Sequence, residues 1–207
     1  MTNVTPLMAK GKTLLSGAGR TLGTPYGNDV GLEGTQQWFD DILPSTTGGV
    51  STPRSNGKKL CILTRNVSGI TLERRRLVKW AAGYRNKRVD GYCAVDSEEC
   101  AGVVDEALST NGVPNHDLFW LEVKGPCLVK TPLAASALNV ITSGDKLVAL
   151  TAATSQATTA GRIQSFAATT GTTTALSSIL NYIGIAMSSM TTAQTNTDCL
   201  VDLKILK

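Results

Sequence analysis

Residues 117–131 read DLFWLEVKGPCLVKT. Two apolar runs, DLFWLEVK and PCLVKT, flank the dipeptide Gly125-Pro126, and each is rich in Val, Leu or aromatic side chains. Runs of about five to eight such residues, bounded by turn signals, have the chemistry of β-strands rather than helices. The same grammar continues on both sides. Upstream lie KLCILTRN, RRLVKWA, RVDGYCA and CAGVVDEAL, punctuated by Ser68-Gly69, Ala82-Gly83 and Asn111-Gly112-Val113-Pro114. Downstream lie SGDKLVALT, GRIQSFAATT, NYIGIAMSS and DCLVDLKIL, joined by Thr-, Ala- and Ser-rich connections such as TAATSQATTA. A helical turn at 176–182 (LSSILNY) is weakly coded, because β-branched and Ser residues disfavour it. The expected fold is all-β: an antiparallel β-barrel or sandwich of short strands.

Residues 1–57 differ. They are broken by Pro6, Pro25, Pro44 and Pro53 and by many glycines, and carry almost no core-forming pattern. A stretch such as GKTLLSGAGRTLGTPYGNDVGLEGTQQ cannot bury enough apolar surface to offset its own ordering entropy. It is therefore expected to be an extended N-terminal arm ordered by neighbouring subunits, with a 58–207 domain behind it. The alternative is an arm that wraps its own domain. Trp38-Phe39-Asp40-Asp41-Ile42-Leu43 is the arm's one apolar cluster, expected as an anchor of short helical or turn character. Trp38 folding back onto the domain is the competing placement. At 207 residues the chain suits one core plus an appendage. It has no apolar run long enough to cross a membrane as a helix, and MTNVTPLMAKGK lacks the apolar core of a signal peptide, so the mature chain is expected to start near Met1.

The 58–207 domain contains an internal rhyme. Ser68-Gly69, then Arg76 to Trp80, Ala101 to Val104 and Asp117 to Val123 parallels Ser143-Gly144, then Lys146 to Leu150, Ile183 to Ala186 and Asp198 to Leu203. Two pseudo-equivalent halves of one barrel, 58–131 and 132–207, or two consecutive small sheets would both produce it.

Catalytic signals are sparse. His116 is the single histidine, no serine sits in a G-x-S-x-G elbow, and the five cysteines (Cys61, Cys93, Cys100, Cys127, Cys199) form no C-x-x-C pair. Buried free thiols, no zinc site and no disulfide framework are expected, and no cofactor is implied. The sequons at Asn3 and Asn66 mean little without secretion. Asp40-Asp41, Glu98-Glu99 and Asp105-Glu106 are adjacent pairs whose members point to opposite faces of a strand, so they are expected as solvated positions and not as acid/base dyads. Gly11-Lys12-Thr13 resembles the end of a phosphate loop, but Pro6 stands where the first glycine is needed. Gly17 to Gly23 has one residue too many for a dinucleotide fingerprint.

Charge is uneven. Between Arg54 and Asp90 stand eleven basic residues and two acidic ones, Glu73 and Asp90, so this segment carries the excess behind the net charge of +4. With Trp80 and Tyr84 interleaved, such a stripe could bind nucleic acid phosphates, meet an acidic protein surface, or protect a sheet edge.

NVSGITLERRRLVKWAAGYRNKRVDGY, followed by AGVVDEAL, VPNHDLFWLEVKGPCLVKT, GDKLVAL and YIGIAM…CLVDLKIL, resembles the capsid decoration (cement) proteins of tailed bacteriophages over about residues 60 to 207. The resemblance implies a β-rich virion protein, commonly a homotrimer, that assembles in the host cytoplasm. It would sit on the outer capsid surface where major capsid protein subunits meet. The expected subunit contacts are Trp38, Phe39, Ile42 and Leu43 on the arm, Arg74, Arg75 and Arg76, and Trp80. Removing residues 1–50 is then expected to leave a soluble barrel that attaches poorly. A nucleic-acid-binding barrel using 54–88 is the alternative, and an enzyme built on His116 or a cysteine the third reading.

Overall fold

Alternating apolar residues dictate strands, and strands are what form. The computed structural model describes residues 33–43, 52–95, 98–108, 110–132, 140–150, 159–166, 182–190 and 198–205. They contain ten strands: β1 (Gln36–Leu43), β2 (Thr52–Asn66), β3 (Leu77–Trp80), β4 (Arg88–Tyr92), β5 (Cys100–Val104), β6 (Leu118–Lys130), β7 (Lys146–Ala149), β8 (Ile163–Ser165), β9 (Gly184–Ala186) and β10 (Asp198–Lys204). All belong to one hydrogen-bonded sheet in the order β1-β2-β4-β3-β5-β6-β10-β9-β7-β8. The expected all-β class is what the chain adopts. The pairing is antiparallel except between β2 and β4, which run parallel through Arg65↔Arg88 and Asn66↔Val89.

An additional β2–β6 pairing closes β2, β4, β3, β5 and β6 into a five-stranded ring. Closure satisfies the backbone donors and acceptors that open edges would leave unpaired. The alternate residues of β2 and β6 then face opposite ways. Leu60 and Ile62 of β2 with Phe119, Leu121 and Val123 of β6 fill the ring together with Val78, Val89 and Val104. Cys61, Leu63, Leu118 and Trp120 point outward into a smaller cluster capped by Phe39 of β1.

Strand β6 does not break at Gly125-Pro126, where a turn was expected. The strand runs on and changes partner there, from β2 at Lys124 to β10 from Lys124 onward. Gly125, at φ 96°, lets its backbone lie against the Lys58 carbonyl, a conformation and an approach that a Cβ would forbid. Pro126 has no N–H to give, and it sits where the old ladder has ended.

Beyond β6 the strand order mirrors itself: β6-β5-β3-β4 on one side, β10-β9-β7-β8 on the other. Three further features correspond, and their first members Leu72, Arg75 and Val78 lie at one constant offset from Ile141, Gly144 and Leu147. The bridge Leu72↔Val113 answers Ile141↔Met190, the left-handed turn residue Arg75 (φ 65°) answers Gly144 (φ 96°), and Val78↔Gly102 answers Leu147↔Gly184. The counterpart of Gly144 is thus Arg75, not Gly69 as the sequence rhyme suggested. Gly102 and Gly184 serve one purpose. A Cβ on Gly102 would lie 2.7 Å from the Glu122 carbonyl, and one on Gly184 closer still to that of Asp202, so each strand can approach its neighbour only without a side chain.

The two groups share one core. Leu77, Cys93, Cys100 and Val103 of the first pack with Ile141, Leu147, Ile163, Ile183, Cys199 and Val201 of the second. Backbone bonds from Leu77 N–H to the Gly161 carbonyl and from Gly161 N–H to the Cys93 carbonyl, both 2.8 Å, tie the outer strands together.

Two expectations need correction. Residues 38–43, read as a helical or turn segment, lie in β1 and pair antiparallel with β2 of the same chain. The proposed boundary after residue 57 falls inside β2. The tentative turn at 176–182 lies outside the described residues except for Tyr182, as do residues 1–32 of the arm.

Gly184→Ala is expected to cost about 1–3 kcal/mol by overpacking, seen as a lower urea midpoint at an unchanged slope.

Candidate functional site

Strand β1 sits at the end of the strand order, so among the described strands its outer edge carries no ladder. Its residues alternate. Phe39 and Asp41 turn inward, while Trp38, Asp40 and Ile42 turn out, Trp38 at 52% exposure and Ile42 at 42%. Phe39 meets the Trp120 ring edge-on at 5.0 Å between centroids and 70° between planes. A bulge between Asp40 and Ile42 aims Asp41 at Arg54 and Ser55. β1 is therefore pinned on one face by an aromatic contact and a buried carboxylate, and offers a tryptophan and an isoleucine to its surroundings. Of the expected contact residues, Trp38 and Ile42 are available and Phe39 is an internal anchor. The Leu43 side chain lies outside the described residues.

The arginine triplet is not a surface patch. Arg76 is buried, with its guanidinium 3.8 Å above the Tyr92 ring and its Nε donating to the Ala160 carbonyl at 2.8 Å. Arg75 reaches Asp198 of β10 at 2.5 Å, and Lys130 approaches the same carboxylate at 3.6 Å. Arg74 donates to the Leu108 carbonyl at 3.0 Å. Partial burial and internal partners remove these three from the expected contact surface.

The rest of the basic segment follows suit. Arg65 and Arg88 share Glu33, at 2.5 and 3.0 Å, Lys79 holds Glu98 at 3.0 Å, and Arg85 holds Glu99 at 2.5 Å. Lys58 pairs loosely with Asp40 across β1 and β2 at 3.9 Å. The excess of positive charge in the sequence is in large part a set of ion pairs with carboxylates brought in from Glu33, Asp41, Glu98, Glu99, Glu106 and Asp198. Linear charge counting overstates the free charge because the partners are distant in sequence.

The carboxylates were misread in the same way. Asp40 is exposed as expected, but Asp41, Asp105 and Glu106 are fully buried. Asp41 accepts from Arg54 Nη2 at 2.6 Å, Arg54 Nε at 3.2 Å and Ser55 Oγ at 2.8 Å. Burial by itself would push the Asp41 carboxyl up. The hydrogen bonds from Arg54 and Ser55 and the nearby Lys59 ammonium outweigh it and hold the carboxyl below its ordinary value of 3.8. Glu122 was hidden in the apolar run DLFWLEVK, and Lys59 in KKLCIL. The available signal was positional: an acid or lysine in phase with buried neighbours needs a partner.

A cleft of about 720 Å³ opens beside the β3–β4 hairpin, lined by Trp80, Tyr84, Lys87 and the ion-paired Lys79 and Arg85. Arg88 stacks its guanidinium on Tyr84 at 4.3 Å. Trp80 is half-buried against the ring core, and His116 is not among the lining residues. His116 occupies a left-handed turn (φ 74°), and its carbonyl accepts Arg65 Nη1 at 2.7 Å. All five cysteines are free and buried, as the sequence suggested. Cys93 and Cys100 bring their Sγ atoms to 2.9 Å, and burial, reinforced by that neighbour, pushes the Cys93 thiol well above its ordinary value.

No protein-family model matches this chain, and no curated protein or solved structure matches it either.

Because the Asp41 carboxyl is depressed, its stabilising contribution is complete above the ordinary value of 3.8 and is lost as pH falls through the lower native value. Arg54→Met should remove the guanidinium shared by Asp41 and Glu106, leave the buried cluster one positive charge short, and cost about 3–5 kcal/mol. Urea unfolding from pH 3 to 7 tests both points, since the variant, its Asp41 carboxyl no longer held as low, should lose less stability than the wild type as the pH falls.

Proposed function

We propose that this protein is a structural component of a virion, attached to the outside of a phage capsid and strengthening contacts between major capsid subunits. The observation that carries the reading is β1: the edge strand among the described strands, internally anchored, that presents Trp38 and Ile42 outward. Aromatic and branched apolar side chains at an edge are the usual anchors for strand addition or subunit docking, because they bury much area at little entropic cost. Several weakly binding copies on one lattice would then hold strongly through effective concentration.

The compensated interior favours adhesion over phosphate binding. A nucleic-acid site needs uncommitted Lys and Arg, whereas most of those in residues 54–88 already hold carboxylates or carbonyls. The residue set for docking is correspondingly narrower than the sequence suggested: Trp38 and Ile42, with Trp80 at the separate cleft.

Truncation must also be placed differently. Removing residues 1–50 would take away Phe39 and Asp41, which complete the body's own packing, and Glu33, which pairs with Arg65. Truncation after residue 32 keeps these contacts. The homotrimer belongs to this proposal, and light scattering of the purified protein reads it directly.

Trp38→Ala with Ile42→Ser should leave unfolding unchanged while lowering occupancy on shells of the encoding virus about tenfold or more, as loss of a hot-spot pair does. Co-sedimentation with emptied shells measures this, and wild-type occupancy by the double variant would overturn the assignment of β1.

A further inference from the structure

The side of β2 that faces β1, outside the ring, buries a lysine in an unusual setting. Lys59 on β2 is fully buried, and its Nζ is surrounded by three carboxylates, those of Glu106, Asp41 at 3.4 Å and Glu122 at 3.6 Å. Its Nζ donates to Glu106 Oε1. Glu106 is held from behind. Its Oε2 accepts the Leu128 N–H at 2.9 Å and Arg54 Nη1 at 3.2 Å, and its Oε1 accepts Arg54 Nη2 at 3.1 Å. Glu122 is held in turn by the Glu106 N–H, at 3.5 Å from Oε1.

We propose that Lys59 and Glu106 are joined by a self-formed isopeptide bond, with Glu122 as the carboxylate that moves the proton. The proposal is independent of any role on a capsid. Three requirements of the chemistry meet here. The nucleophile must be a neutral amine, and a dry interior favours the uncharged amine and acid over separated ions. The acceptor carbon must be electrophilic, and Arg54 with the Leu128 N–H supplies donors to the oxygen on which negative charge develops. The reacting atoms must be held together, and the fold places Nζ against the Glu106 carboxyl with no search left to make.

The step balances without any co-reactant. Glu122 takes a proton from the Lys59 ammonium, and the Nζ lone pair attacks Cδ of Glu106. The Nζ–Cδ bond forms, the Cδ–Oε1 bond breaks, and Oε1 leaves as water carrying two of the three ammonium protons, the first of them delivered by Glu122. Oε2, between Leu128 and Arg54, becomes the amide carbonyl. Asp41 is the poorer acceptor, since its nearest oxygen stands 3.4 Å from Nζ while Glu106 lies in direct contact with it.

A metal reading of the same place is weaker. Glu106, Glu122 and Cys127 could bring three ligand atoms together, but the Lys59 ammonium already sits against both glutamates. The covalent tie would instead fasten β2 to the turn after β5 across 47 positions of sequence, fixing the ring independently of solvent, redox state or divalent cations.

Intact-mass spectrometry of the purified full chain, denatured before injection, tests this directly. The wild type should weigh one water less than its sequence. A tryptic digest should yield a branched species joining residues 59–65 to 89–124, with fragment ions placing the link at Glu106. Glu106→Gln should close the same bond with loss of ammonia and so weigh one ammonia less than its own sequence, whereas Glu106→Ala should have its full sequence mass. Glu122→Gln should slow closure at least tenfold, so that uncrosslinked chain is seen in freshly made protein and declines on incubation. A wild type at full sequence mass after prolonged incubation, or a link mapped to Asp41 or Glu122, would overturn the proposal, and neither measurement depends on a variant folding.

Discussion

The constraint behind this structure is the continuity of β6. One strand of thirteen residues pairs with β2 and β5 over its first half and with β10 over its second. The first set of pairings closes the ring, and the second hands the ladder on to the mirrored group. Both cores are lined from this strand, with Phe119, Leu121 and Val123 on the ring side and Cys127 and Val129 in the shared core. A turn at Gly125-Pro126 would have cut the ladder to β10 off from the ring.

Closing the ring has an electrostatic consequence. β2 and β6 are threaded through the interior, so any charged residue in phase with the buried face is taken out of water. Lys59 and Glu122 are such residues, and Asp41, Arg54 and Glu106 are brought in from β1, β2 and the turn after β5 to meet them. Isolated buried charges would be prohibitive, whereas mutually compensating ones are tolerated at a cost that packing elsewhere offsets. The same logic absorbs Arg65, Arg75 and Arg76. What the sequence presents as a basic stripe is therefore in large part a set of ion pairs with carboxylates distant in sequence.

That shift moves the functional reading toward adhesion. β1 is anchored to the body of the molecule on its inner face, and among the described strands its outer edge carries no ladder, which is why the proposed docking strand would be rigid before a partner arrives. The cleft by Trp80 and Tyr84 carries two ion pairs, Lys79–Glu98 and Arg85–Glu99.

Strand-by-strand alternation, turn residues and the scarcity of helical stripes were enough to determine an all-β chain, the buried free cysteines and the repeated order of strands, because these depend on local period and composition. The sequence alone could not tell which strand pairs with which, that Gly125-Pro126 marks a change of partner, or that Trp38-Phe39 lies in a strand of its own sheet. Nor could it tell that Asp41, Glu106, Glu122 and Lys59 converge. Those are long-range facts: only closure of the ring brings positions dozens of residues apart within a few ångströms, and only burial decides which charges must find one another.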